Sequence, residues 1–341
     1  MKRSFAIVIG FTAVLLFLAY LSPPIHAAEV IKLSYASYVP TGHKMHKIQE
    51  DMVKAFNQRT NGRVQVTYYP AQTLVQAAWT YDGVVKGIAD MGHCTAGHTR
   101  GLFPFLEVLD LPLGQKSGYQ ISMLMDDFIH HFKPKELNDV HFLLASSPGP
   151  FIIHTAKKPV YKLEDLKGLK IRAAGPTEGL VRALGATPVA MPVTEAYDAV
   201  QKGVVDGVLL PTEALLNYRI AEVTKYTTNN YGAACGSLSM YIMNKKKWES
   251  LPPDIQQAFT QVAREFAEIK AKFWSGIDKD GEEFALKKGH TFINVSKEET
   301  ARWTERMKPV YDRYLENMKA KGLPGAEALQ YCREYVEKKP Y

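Results

Sequence analysis

The period of hydrophobic and polar positions changes repeatedly along the first hundred residues. Residues 30–37 have the composition of a strand, and a loop with Pro40 and Gly42 follows. Between 46 and 59 the apolar residues Ile48, Met52, Val53 and Phe56 recur at helical spacing, up to a stop at Asn61 and Gly62. Residues 64–69 predict a second strand, 77–86 a helix, and 89–92 the start of a third strand. Short strand–helix–strand units in this rhythm predict an α/β fold with parallel sheets.

The pattern shifts at 140–155. Two extended apolar runs, 142–145 and 151–153, flank Pro148, Gly149 and Pro150, which predicts a crossover from one lobe to another. A second α/β unit follows, with strands at 169–172, 188–191 and 207–210 and helices at 177–184 and 195–202. Residues 238–244 read as a strand returning to the first lobe. Long helical patterns close the chain, at 253–288 with a break near Gly281 and at 297–321.

The N-terminus stands apart from this architecture. A basic start at Lys2 and Arg3, an apolar run from 5 to 21, Pro23 and Pro24, and small residues at 27–28 make the three-part layout of a secretory signal. Cleavage there would release a chain of about 310 residues into the periplasm. That length exceeds one ordinary core and suits two lobes. The expected division is 1–28 signal peptide, 29–150 lobe I completed by about 237–280, 151–236 lobe II completed by about 281–321, and 322–341 a C-terminal tail.

Composition narrows the function classes. Lys and Arg number 42 against 35 Asp and Glu, a formal charge of +7. The basic residues are spread along the chain, and the one tight cluster, Lys245 to Lys247, reads as a solvated face, so no nucleic-acid partner is expected. Cys94, Cys235 and Cys332 fit neither a metal motif nor a disulfide framework, and buried thiols are expected. His93, Cys94 and His98 lie close in sequence but lack the partners of a zinc set. Phosphate-binding loops, dinucleotide fingerprints, nucleophile elbows and zinc-protease motifs are absent from the sequence. Neither an enzyme nor a cofactor is expected.

Several segments, in order, resemble the substrate-binding component of tripartite ATP-independent periplasmic (TRAP) transporters of the dicarboxylate type. They are Leu163-Glu164-Asp165-Leu166-Lys167-Gly168-Leu169-Lys170-Ile171-Arg172, then Ala183-Leu184-Gly185-Ala186-Thr187-Pro188-Val189, then Val204-Val205-Asp206-Gly207, and Trp248-Glu249-Ser250-Leu251-Pro252-Pro253. The resemblance spans nearly all of the chain after the leader. It implies a two-lobed, periplasmic-binding-protein-like α/β fold with hinge strands and long C-terminal helices, closing over a small organic carboxylate and serving a membrane permease. It also implies that Arg172 binds the ligand carboxylate, for which a planar fork of donors at a strand end is suited. A structural pair with Glu178 or Asp206 is the other reading of Arg172.

Departures from the family pattern bear on the ligand. Leu210, before Pro211, stands where many members carry Asn, and Phe151, Ile152 and Ile153 stand where many carry a second Arg. Trp79 aligns with a position that is commonly polar. Each change removes a polar partner or adds apolar surface, so an aromatic or apolar monocarboxylate, such as an indolyl, aryl or 2-oxo acid, is the expected ligand. A C4-dicarboxylate or sugar acid is the alternative, and a sensing subunit or a secreted enzyme are further ones. Trp79, Phe151 and Tyr231 either line the pocket or pack as ordinary core. Tyr38 and His43 either donate to the ligand or sit in an exposed loop.

Overall fold

The computed structural model describes residues 30–339 except Arg100 and Pro176. The expected signal peptide therefore lies outside the described residues. Two sheets divide the chain. The first holds β1 (Ile31–Ser37), β2 (Val64–Tyr69), β3 (Met91–Thr95), β4 (Val140–Ser146) and, arriving much later, β10 (Ser239–Asn244), in the order β2-β1-β3-β10-β4. The second holds β5 (Ile152–Thr155), β6 (Lys170–Ala173), β7 (Thr187–Ala190), β8 (Gly207–Leu210), β9 (Tyr226–Asn229) and β11 (Thr291–Asn294), in the order β11-β9-β5-β8-β6-β7. Each sheet has its own buried apolar core. The two-lobed α/β reading of the sequence holds.

The sheets are mixed rather than parallel throughout, and the crossovers explain why. β1, β2 and β3 are mutually parallel, as are β6, β7 and β8. β10 starts at Ser239 opposite Thr95 and Ser146, the C-terminal ends of β3 and β4. β5 starts at Ile152 opposite Leu210, the C-terminal end of β8. A strand arriving from the other lobe enters at the cleft edge, so it must run against its neighbours. The two crossover segments brace each other: Phe151 N–H donates to Cys235 O (2.9 Å), and Ser237 N–H donates to Ser147 Oγ (3.0 Å).

Local sequence accounts for the helices beside the cleft. The helix Lys44–Arg59 buries Met45, Gln49, Met52, Val53 and Phe56 along one stripe, and His43 caps its start by accepting from Met45 N–H. Its end is set by Asn61 and Gly62, both at positive φ. Pro253–Lys287 is one continuous 35-residue helix, without the break expected near Gly281. A Cβ at 281 would lie 2.3 Å from Thr212 O, so this glycine admits the second lobe's backbone rather than ending the helix. The pattern at 297–321 divides into Lys297–Arg306 and Lys308–Ala320, because Pro309 has no N–H to continue the ladder. Within the segment expected as a tail, Gly325–Lys338 forms a helix whose Leu329, Cys332 and Tyr335 join the first-lobe core.

The long helix buries Phe259, Val262 and Phe266 against the first sheet. It also buries a lysine. Lys270 is fully covered, its Nζ 4.3 Å from the centroid of the Tyr241 ring and 3.8 Å from Met45 Sδ, and no carboxylate pairs with it among the described residues. Burial pushes its pKa down to about 7. An unfolded lysine stays protonated to about pH 10.4, so folding sheds a proton between these values and the stability cost is greatest below pH 7. Lys270→Met should therefore stabilise the fold most at pH 6 and progressively less toward pH 10, the difference being about 4 kcal/mol. Urea unfolding of both proteins across this range checks it, and a gain that does not change with pH would contradict it.

Candidate functional site

Strand ends from both sheets converge between the lobes, the place where open α/β sheets meet ligands. A cavity of about 70 Å³ lies there, walled by the loop after β1, the end of β3, both crossovers, β6, the turn after β8 and the long helix. Arg172, third residue of β6, is 3 % exposed and reaches this cavity. Its Nε and Nη2 donate to Met191 O at 3.0 and 2.8 Å, which fixes the plane of the guanidinium. No carboxylate pairs with it among the described residues. Glu178 and Asp206 do not fill that role, since the Asp206 carboxylate accepts from Lys170 N–H instead. Burial lowers the Arg172 pKa to about 10, so the group remains cationic at neutral pH. Two wider grooves of about 440 Å³ lie elsewhere, one of them between the lobes beside Gly175. Their arginines (Arg182, Arg306, Arg313 and Arg264) are exposed, whereas the interlobe cavity holds its cation away from water.

The cavity wall is mainly aromatic and aliphatic around that cation. Phe151, Leu210, Val193, Tyr218 and Trp274 contribute apolar surface. Trp274 Nε1–H is buried with no acceptor among the described residues. Two carboxyl groups also belong to the wall. Asp110 is buried, accepts from Leu238 N–H (2.7 Å), and is pushed up to about 7 by burial. Glu213 is buried and accepts from Asn217 Nδ2 (2.8 Å), while its own N–H donates to Asp278 on the long helix (2.9 Å). His93 and His98 are neutral, since burial drives His93 well below the usual imidazole range and burial next to Arg172 takes His98 to about 4.

Of the residues named from sequence, Arg172, Phe151, Leu210, Tyr38 and His43 line the cavity. Tyr38 and His43 are engaged by protein rather than sitting in an exposed loop. The Tyr38 hydroxyl lies 2.9 Å from Thr95 Oγ1. His43 accepts from Met45 N–H at Nδ1, which puts its proton on Nε2, 3.3 Å from Glu213 Oε2. Trp79 and Tyr231 lie outside the cavity, 61 % and 47 % exposed. The turn Ala77–Trp79 gives its buried phase to Ala77, and Thr80 and Tyr81 continue it, so Trp79 faces solvent. The large flat wall comes instead from Trp274 and Tyr218. In sequence Trp274 belongs to a helical stripe with Ala267, Ala271 and Ile277 and reads as core, and nothing local distinguishes it. The three cysteines are free and buried, as expected, and no cluster that could hold a metal occurs among the described residues.

Contacts join the lobes across the cavity, among them the His43–Tyr218 ring pair (5.4 Å between centroids) and two more. One is the His43–Glu213 pair. The other is backbone against backbone: a Cβ on Gly175 would lie 2.6 Å from Gly97 Cα and 2.8 Å from Gly97 O. Gly175 also has φ +56°, in the left-handed region that disfavours a side chain. The absence of side chains at both positions lets the rims of the two lobes meet.

A two-lobed fold whose strand ends and crossovers enclose a small cationic cavity defines a solute-binding protein. The comparisons agree. Residues 35–317 match the family described as bacterial extracellular solute-binding protein, family 7, and the chain belongs to that family. It is a TRAP-type solute-binding protein of transport and not an enzyme. It is 29% identical over 340 residues to the C4-dicarboxylate-binding periplasmic protein DctP of Rhodobacter capsulatus, covering 96% of this chain and 98% of that one. A marine metagenome TRAP solute-binding protein specific for aromatic acid ligands, solved with 3-hydroxybenzoate, superposes with a TM-score of 0.87 at 26% identity, over 92% of this chain and 100% of that one. A TRAP periplasmic solute-binding protein of Desulfovibrio salexigens superposes with a TM-score of 0.81 at 33% identity, over 91% and 97%.

The glycine contact makes a prediction about closure. Gly175→Val should keep the lobes apart under conditions where the unaltered protein closes, because the added side chain meets Gly97 only in the closed form. Small-angle scattering should then give a larger radius of gyration for the variant. Identical closed profiles would show that this contact does not limit closure.

Proposed function

We propose that this chain captures a small aromatic or otherwise apolar monocarboxylate between its lobes and delivers it to the membrane permease of a TRAP transporter. The observation that carries this reading is Arg172, a charged, buried guanidinium held by one backbone carbonyl and lacking a carboxylate of its own. A ligand carboxylate supplies the missing counter-charge, and the planar fork suits bidentate pairing. The ligand's remaining surface would meet Trp274, Tyr218, Phe151 and Leu210, where burial contributes roughly 25 cal/mol per Å² before the cost of association.

Charge favours this class over a dicarboxylate, and the aromatic and aliphatic part of the wall favours it over a sugar acid. A second ligand carboxylate would find Asp110 and Glu213 in the wall rather than a second guanidinium, so no counter-charge would offset its desolvation. The marine metagenome protein, specific for aromatic acids, supports the same reading. The Rhodobacter capsulatus relative, a C4-dicarboxylate binder, supplies the competing one.

A calorimetric panel tests it. Benzoate, phenylacetate and indole-3-acetate should bind more tightly than succinate, malate or glucuronate. Arg172→Ala should lower aryl-acid affinity on the order of a hundredfold or more while the protein remains folded. Trp79→Ala, outside the cavity, should leave affinity unchanged. Tightest binding of succinate or glucuronate would overturn the ligand class, and unchanged affinity in folded Arg172→Ala would overturn the carboxylate site.

A further inference from the structure

Behind the aromatic wall, one buried histidine has its proton position set by a polar network. His93 on β3 is 2 % exposed and lines the cavity. Its ring is stacked between Tyr38 and Tyr241, with centroids at 4.8 and 4.4 Å. The hydroxyls of Tyr35 and Tyr68 both donate to Gln49 Oε1, each at 3.0 Å. That turns the Gln49 amide Nε2 onto His93 Nδ1 at 3.2 Å, with Ser37 Oγ at 3.4 Å on the same nitrogen. Nδ1 is therefore an acceptor, and in the neutral ring the proton resides on Nε2. Nε2 is buried and has no partner among the described residues. With both faces stacked and the Nδ1 edge occupied, the Nε2–H edge is the one left to the cavity that His93 lines.

A buried donor without an acceptor is costly, and native structures supply partners for nearly all such groups. A carboxylate at Arg172 satisfies one end of the cavity. His93 Nε2–H belongs to the other lobe and asks for a second oxygen on the same ligand. We propose that His93 is a specificity-determining residue, with Gln49 as its positioning residue, and that the preferred ligand is an aryl monocarboxylate bearing a ring hydroxyl that accepts from His93 Nε2–H. This inference rests on the aryl-carboxylate reading and sharpens it. A methyl group in place of the hydroxyl fills a similar volume but leaves the imidazole N–H unpaired. Sites built to hydrogen-bond a substrate hydroxyl reject the analogue that lacks it. The hydroxylated acid should also bridge the lobes, through Arg172 on one and His93 on the other, and so tie recognition to closure.

The test compares 2-, 3- and 4-hydroxybenzoate with the corresponding methylbenzoates by calorimetry, with benzoate as reference. At one ring position the unaltered protein should favour hydroxyl over methyl by about tenfold. His93→Phe keeps the stacked ring but removes the donor, and should bring that ratio to one or below. Nitrogen-15 spectra of the unaltered protein should show the Nε2–H tautomer at His93 and a shift of that proton only with the hydroxylated acid. These two measurements decide the matter even where His93→Phe does not fold. Aryl acids that bind through Arg172 without a hydroxyl preference at any position, or a preference that survives in His93→Phe, would overturn this inference alone. A protein that binds no aryl acid would overturn the ligand class and this inference with it.

Discussion

A cation buried without a counter-charge is the constraint around which this molecule is organised. Arg172 is held below the surface on a short strand, and its plane is fixed by the carbonyl of Met191 in the neighbouring strand's continuation. Leaving a guanidinium unpaired in a low-dielectric wall is unfavourable by several kcal/mol. Tyr218 and Glu195 offset only part of that cost and form no ion pair with Arg172, while other carboxylates are committed elsewhere: Asp206 to backbone, and Glu213 to His43 and Asn217. A site of this kind trades fold stability for affinity. In the proposed role, the same desolvation that depresses the Arg172 pKa strengthens its pairing with an arriving anion.

The topology places that cation where two lobes can share it. Because each crossover strand enters its sheet at the cleft edge, neighbouring strands run toward the cleft, and β3 and β8 end at the cavity itself. The long helix belongs to both halves, packing Phe259 and Phe266 on the first sheet while Gly281 and Asp278 meet the backbone at Thr212 and Glu213 of the second. Trp274 sits between these two regions and closes the floor of the cavity. The lobes touch elsewhere through small or paired groups, Gly97 against Gly175 and His43 against Glu213. Such contacts are specific in geometry, which suits a closure that ligand binding can bias.

The first lobe carries an unusual density of buried polar groups beneath the apolar wall. Tyr35, Tyr68, Gln49, Ser37 and His93 form one connected set, and Lys270 lies over Tyr241 beside it. Connected buried networks fix orientation because each member limits the donors and acceptors left to the next. Here the chain of constraints ends at His93 Nε2, at the cavity. The lysine is the least favourable member, and its stability cost depends on pH.

Much of the architecture was determined by local sequence. Periodicity located a helix at 46–59, two residues short of its observed start, the strands that end at the cleft and the crossover at Pro148–Pro150, since the solvent contrast between buried and exposed faces acts residue by residue. The order of the TRAP-like segments also indicated Arg172, Leu210 and Phe151, and all three reach the cavity. Tertiary structure decided the rest. Gly281 could have ended a helix or admitted a neighbouring backbone, and only the approach of Thr212 settles which. Trp79 and Trp274 are both large aromatics on helical segments, but helical phase and packing turn one to solvent and the other inward. His93 reads in sequence as part of an incomplete metal set. Its neighbours Gln49, Tyr35 and Tyr68 come from other elements, so its tautomer and the direction of its N–H exist only once the sheet and the first helix have packed.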